Sequence, residues 1–167
     1  MIFRRTYLSK LGLEEVQNGD GELVKELLEM MQQTMADFTC TFRQLAEIDN
    51  NELLNRDVLE TKWSLAKVSN AKGWEKWIEK YLQRLQDENV SEEDRRRRML
   101  KANPLYVPRN WLLQDAIADA ENNDFHKVRL LFDVFRKPYE MNEEAENLGY
   151  SSQPPSWSYS LKLSCSS

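Results

Sequence analysis

An all-α fold follows from three observations. Apolar residues recur at three- and four-residue spacing along most of the chain, cap and stop residues fall between those stretches, and Gly and Pro number only five each among 167 residues. The expected architecture is an irregular helical bundle with a helical hairpin at about 109–137 and an extended C-terminal tail. Residues 1–139 form the helical part, and residues 140–167 an acidic linker followed by a tail ending in Cys-Ser-Ser. This length suits one domain with a real core.

The hairpin is the best-punctuated stretch. Pro104 and Pro108 disfavour helix just before them, so helix begins near Arg109 or Asn110. Leu112, Ala116 and Ala120 lie four apart with Leu113 and Ile117 on the adjoining ridge, and Asn122-Asn123 stop the run. Asp124 is suited to cap a second helix whose expected buried stripe is Val128, Leu131, Phe132 and Phe135, ended by Pro138.

Upstream, Arg4 to Leu11 reads as a short helix closed by Gly12, and Asn18 to Gly21 as a turn. From Glu22, Leu23, Leu27, Met30 or Met31, Phe38, Phe42 and Leu45 keep helical spacing, with a break expected at Asp37 because Thr39-Cys40-Thr41 is poor helix interior. Asp49-Asn50-Asn51 is a stop. Leu53 to Val68 reads as one weaker helix whose apolar positions keep time badly. After Gly73, Trp74, Trp77, Ile78, Tyr81, Leu82 and Leu85 form a clear stripe, and core packing accounts for the tryptophans.

Ser91-Glu92-Glu93-Asp94 has capping-box form ahead of Arg95 to Arg98, and each acid stands four residues before an arginine. That run reads as a solvated helix start rather than an anion patch. Glu140 to Asn147 reads as a mobile linker. In the tail, Pro154-Pro155 forbids helix, and Trp157, Tyr159, Leu161 and Leu163 fit one face of an extended segment.

Composition narrows the function classes. A net charge of -5, from 23 basic and 28 acidic residues, argues against a general nucleic-acid binder. No apolar run reaches the length of a bilayer span, so no membrane partner is expected. MIFRRTYLSK lacks the apolar block of a secretory signal, and two cysteines are no disulfide scaffold, which points to a reducing compartment. His126 is the only histidine and no phosphate-binding glycine loop occurs, so the chain is expected to carry no catalytic, cofactor-binding or metal residues. Cys165, near the C-terminus and flanked by serines, is either a redox thiol or an incidental exposed one.

Three stretches together resemble the C-terminal part of the SelO family, also called YdiU, and the opening of the chain adds to them. NPLYVPRNWLLQDAIADAENNDFHKVRLLFDVFRKPY is similar to the family's NPxYVLRNY…AIxAAExGDFxxVRxLLxxLxxPY pattern, and YSSQPPSW and the ending SCSS follow in order. The opening RRTYLSKLGL with ADFTCTFRQL resembles KLGL…DFTNTFR. The resemblance implies an enzyme that transfers AMP from ATP to protein Ser, Thr or Tyr hydroxyls, with a kinase-like fold and Mg2+-bound nucleotide. In the family the residues that hold ATP and metal lie in the half preceding this segment, so none is assigned here and the chain alone is expected to be inactive. Cys165 matches the near-terminal cysteine or selenocysteine implicated in redox control through a disulfide to the kinase-like half. Cys40 stands where the pattern has asparagine and receives no role.

The resemblance further implies that the chain begins after the catalytic half, as a fragment, a truncated gene model or a catalytically dead product. Its expected partners are that missing kinase-like half and, through it, protein substrates. It also suggests that helices are missing between ADFTCTFRQL and GWEKWIEKY. Eukaryotic members imply a mitochondrial location, with the cytoplasm otherwise expected. Two other readings stand beside this one: an independent helical interaction module without catalytic activity, and a small thiol-redox protein using Cys165.

Overall fold

The computed structural model describes residues 2–161, with side chains from Arg5 onward, and among these there is no strand. The all-α expectation holds. The chain divides into two compact units, residues 1–103 and 104–167, each with its own apolar core. The units meet after Asn103 rather than after residue 139, and residues 140–161 belong with the hairpin.

The first unit holds α1 (Ile2–Lys10), α2 (Asp20–Thr34), α3 (Phe38–Ala46), α4 (Arg56–Glu60), α5 (Trp63–Ser69), α6 (Trp74–Asp87) and α7 (Glu92–Ala102), with a 3-10 turn at Asn50–Glu52. α3 packs on α5 and α7, and α2 on α6, around Leu8, Leu27, Phe42, Leu65, Trp77 and Met99. Gly12 closes α1 as expected. Its φ of +78° lets Leu13 N–H reach Leu8 carbonyl at 2.9 Å and Gly12 N–H reach Ser9 carbonyl at 3.2 Å. The break at Asp37 is also present, and its carboxylate accepts from Cys40 N–H at 2.8 Å.

Leu53 to Val68 is not one helix. It is α4 and α5, parted at Thr61 and Lys62, and the reason lies in tertiary contacts. The side-chain oxygen of Gln44, on α3, accepts from both Ser64 and Leu65 N–H at 3.0 Å, so α5 is capped from another helix. Ser64, fully buried, donates to Asp37 carbonyl at 3.1 Å.

α7 starts as expected, with Ser91 Oγ accepting from Asp94 N–H at 3.1 Å. The expected acid–arginine pairing four residues apart does not occur. The ion pairs within α7 join Glu92 to Arg95 and Asp94 to Arg97, three apart. Arg95 is fully buried, so the run is no simple solvated start.

The second unit holds α8 (Asn110–Glu121), α9 (His126–Arg136), α10 (Glu143–Asn147) and a 3-10 segment at Ser156–Ser160. The hairpin stands where expected, but its buried face is turned. Trp111, Leu112 and Ala116 of α8 and Leu130, Leu131 and Val134 of α9 form the core. Leu113, Ile117, Val128 and Phe132, all expected inside, are 41–61% exposed. At the link, Asp124 Oδ1 accepts from His126 N–H at 2.9 Å, and Asn123 adopts φ +63°. The amides of Leu105 and Tyr106 both donate to Pro138 carbonyl, at 2.7 and 3.1 Å.

The stretch expected as a mobile linker contains α10. Asn142 caps it by accepting from Ala145 N–H at 3.0 Å, Ala145 is fully buried, and the buried Tyr106 hydroxyl lies 2.7 Å from Glu146. The tail forms a 3-10 turn rather than an extended face. Trp157 meets Trp111 edge to face at 6.4 Å, and Leu161 packs on the core. Tyr159 is 70% exposed. Leu163 lies outside the described residues.

Candidate functional site

The one residue singled out for chemistry, Cys165, also lies outside the described residues. Cys40 sits buried in the first turn of α3. His126 is exposed in the first turn of α9, as expected, with Nε2 3.2 Å from Glu144. Among the described residues no group of three or more His, Cys, Asp or Glu side chains is placed to hold a metal ion.

The basic run was the other candidate. Its cations are matched by carboxylates: Glu92 lies 2.8 Å from Arg95, Asp49 3.9 Å from Arg96, and Glu88 and Glu14 each 3.2 Å from Arg98. Asp94 pairs with Arg97, and the hydrogen bonds from Arg97 and then Ser91 hold its carboxyl below the usual range. Such pairing leaves little attraction for an added anion.

Arg95 has an internal task. Its guanidinium donates to Leu45 carbonyl at 3.2 Å and to Ile48 carbonyl, satisfying orphan acceptors at and just beyond the C-terminal end of α3. Glu92, its counter-ion, uses its other oxygen to accept from Asn50 N–H at 3.0 Å. The sequence did carry a signal, since Arg95 stands one turn before the buried Met99 and so shares its face. Arg84 on α6 is used similarly. It reaches Asp20 at 2.8 Å, Glu88 at 3.0 Å and Glu15 carbonyl at 2.7 Å, fastening the connection between α1 and α2.

The aromatic row of α6 is core. Trp74 stacks on Trp77 at 5.5 Å and Trp77 on Tyr81 at 5.2 Å. Trp77 donates to Leu23 carbonyl at 2.8 Å and Tyr81 to Leu11 carbonyl at 2.7 Å, and burial pushes the Tyr81 hydroxyl up. A cavity of about 570 Å³ lies against the C-terminal end of α9, lined by Asp133, Arg136, Lys137, Glu140, Met141 and Asn142. Its charges are mixed, and it contains no thiol or imidazole. Among the described residues, the buried charged side chains Arg84 and Arg95 fasten helices and loops to one another.

The family model described as "Protein adenylyltransferase SelO" matches residues 1–136. The chain belongs to the SelO family. Curated relatives each named "Protein nucleotidyltransferase YdiU" are similar over nearly its whole length. That of Pseudomonas fluorescens is 37% identical over 171 residues, covering 99% of this chain and 33% of the relative. That of Herminiimonas arsenicoxydans is 37% identical over 165 residues, with 99% and 32% covered. That of Burkholderia cenocepacia is 38% identical over 163 residues, with 98% and 30% covered. The chain thus spans about a third of the length of these SelO relatives.

The expected loss of helices between α3 and α6 is not found against these relatives. An alignment of 171 positions over 99% of 167 residues leaves no room for it. The poorly timed stretch near Trp63 is the junction of two short helices, the second of them capped by Gln44.

Proposed function

We propose that this chain is the helical, C-terminal, redox-sensitive region of a SelO-type protein nucleotidyltransferase. In this reading AMP transfer from ATP to protein hydroxyls is carried out by a kinase-like part that holds ATP and Mg2+, and the present units support and regulate that part. The observation that carries the reading is the family match over residues 1–136 in a chain spanning a third of relatives named as nucleotidyltransferases. The motif order near the C-terminus supports taking Cys165 as the regulatory thiol.

With α-labelled ATP and Mg2+, this chain alone is expected to transfer no AMP to itself or to added protein. Transfer above a no-protein blank would overturn the division of labour. For Cys165, co-expression of the chain with the remaining part of a SelO relative under oxidising conditions is expected to give a disulfide between the two on non-reducing gels, lost in Cys165→Ser. Absence of that disulfide would remove the redox role.

A helical interaction module of independent function is the second reading, because the exposed apolar residues of the hairpin suit an unrelated apolar partner equally well. It predicts that the chain does not bind the remaining part of a SelO relative.

A further inference from the structure

The hairpin carries more apolar surface than its own unit covers. On α9 the buried Leu130, Leu131 and Val134 continue around the helix into Phe135, Val128 and Phe132, with Phe125 at the link. On α8 the buried Leu112 and Ala116 continue into Leu113 and Ile117. A helix with one buried face needs an apolar arc of about 100°, and these arcs run well beyond it. Phe132 is 61% exposed and Ile117 50% exposed, whereas the adjacent Leu131 and Ala116 are buried to 4% and 3%. Helices with such arcs are suited to lie between two layers, and among the described residues Ile117, Val128 and Phe132 stay exposed.

The uncovered part has the make-up of a contact surface. Its centre is aromatic and aliphatic, and its rim holds Arg129, Asp133 and Arg136, all exposed, with the Arg136 guanidinium over the Phe132 ring at 5.3 Å. The relatives supply the candidate for the missing layer, because about two-thirds of their length lies outside the part this chain spans.

We infer that the outer face of the hairpin, centred on Ile117, Val128 and Phe132, docks on the part of a SelO-family protein that this chain does not span. The inference rests on the reading above and adds the surface through which the two parts meet. The occupant it names presents an apolar patch of its own, and docking removes Phe132 from water.

The test is co-expression of the tagged full chain with the non-spanned part of the Pseudomonas fluorescens relative, followed by affinity capture and titration. Wild type is expected to capture it. Phe132→Asp and Ile117→Asp are expected to weaken binding about thirtyfold or more, as loss of a central anchor does. Tyr159→Asp, at an exposed aromatic in the tail, should bind as wild type does. The two face variants should keep the circular dichroism and melting temperature of wild type, since both positions are exposed.

Capture by wild type with no loss in either face variant would overturn this inference and leave the proposed function standing. No capture by wild type would overturn both. A dimer of wild type that Phe132→Asp converts to monomer, with capture unaffected, would assign the face to a second copy and overturn the inference as well.

Discussion

Arg95 and Gly12 are coupled through a very short approach. A Cβ built on Gly12 would lie 2.9 Å from Arg95 Cγ and 3.1 Å from its carbonyl oxygen, at a backbone φ of +78°. Gly12→Ala is therefore expected to lower unfolding stability by more than about 1 kcal/mol, from left-handed strain plus displacement of Arg95. Arg95→Met keeps most of the volume but strands two carbonyls and Glu92. Urea denaturation of that variant should show a loss of about 1–3 kcal/mol per acceptor left unpaired, offset in part by burying no charge. A loss below about 0.5 kcal/mol would mean that water or neighbouring amides replace the guanidinium. At the start of α7, Asp94 should titrate in an NMR experiment below the ordinary aspartate value, and Arg97→Ala should bring it back up. Because its folded pKa is depressed, what Asp94 contributes is present at neutral pH and is lost as pH falls through its folded value.

Among elements, the hairpin separates covered from uncovered apolar surface on one helix. Leu131→Ala should cost about 2–4 kcal/mol as a cavity in a packed core, whereas Phe132→Ala, one residue on, should cost under about 1 kcal/mol. Equal costs would mean that Phe132 is buried within the chain in solution. The helices are also fastened by Lys127, whose ammonium lies 2.9 Å from Asp115 and 3.0 Å from Asp119. Its pKa is raised, chiefly by the hydrogen bond to Asp115, so the tie is complete at neutral pH and is lost as pH climbs through the folded value. Lys127→Ala is expected to cost up to about 1 kcal/mol at pH 7, measured by thermal melting.

At the scale of the whole molecule, two separate cores imply two cooperative units, and calorimetry should resolve more than one transition, with Val134→Ala shifting only that of residues 104–167. The elements most legible in the sequence were those with local causes. Gly12, Asp37 and Ser91 sit where their backbone or cap chemistry demands, and the Trp77 stripe packs as its spacing implies. What escaped had distant causes. The division of α4 from α5 depends on Gln44, and the order in 140–147 depends on Tyr106, far away in sequence in both cases. The turned face of α9 escaped because its apolar arc is too wide for spacing alone to say which half faces inward. The candidate site was legible only as motif order, since Cys165 has neither a neighbouring base nor a second cysteine beside it in the chain.

The paired amides on the Pro138 carbonyl give the hairpin a further property. Because Leu105 and Tyr106 meet Pro138 directly, the chain enters and leaves the two helices at one spot, while the exposed Asn122 and Asn123 stand at the opposite end. The segment is thus a self-closed cassette. A short Gly-Ser insertion between Asn122 and Asn123 should leave both helices in place, so that the protein carrying it stays soluble with unchanged helicity.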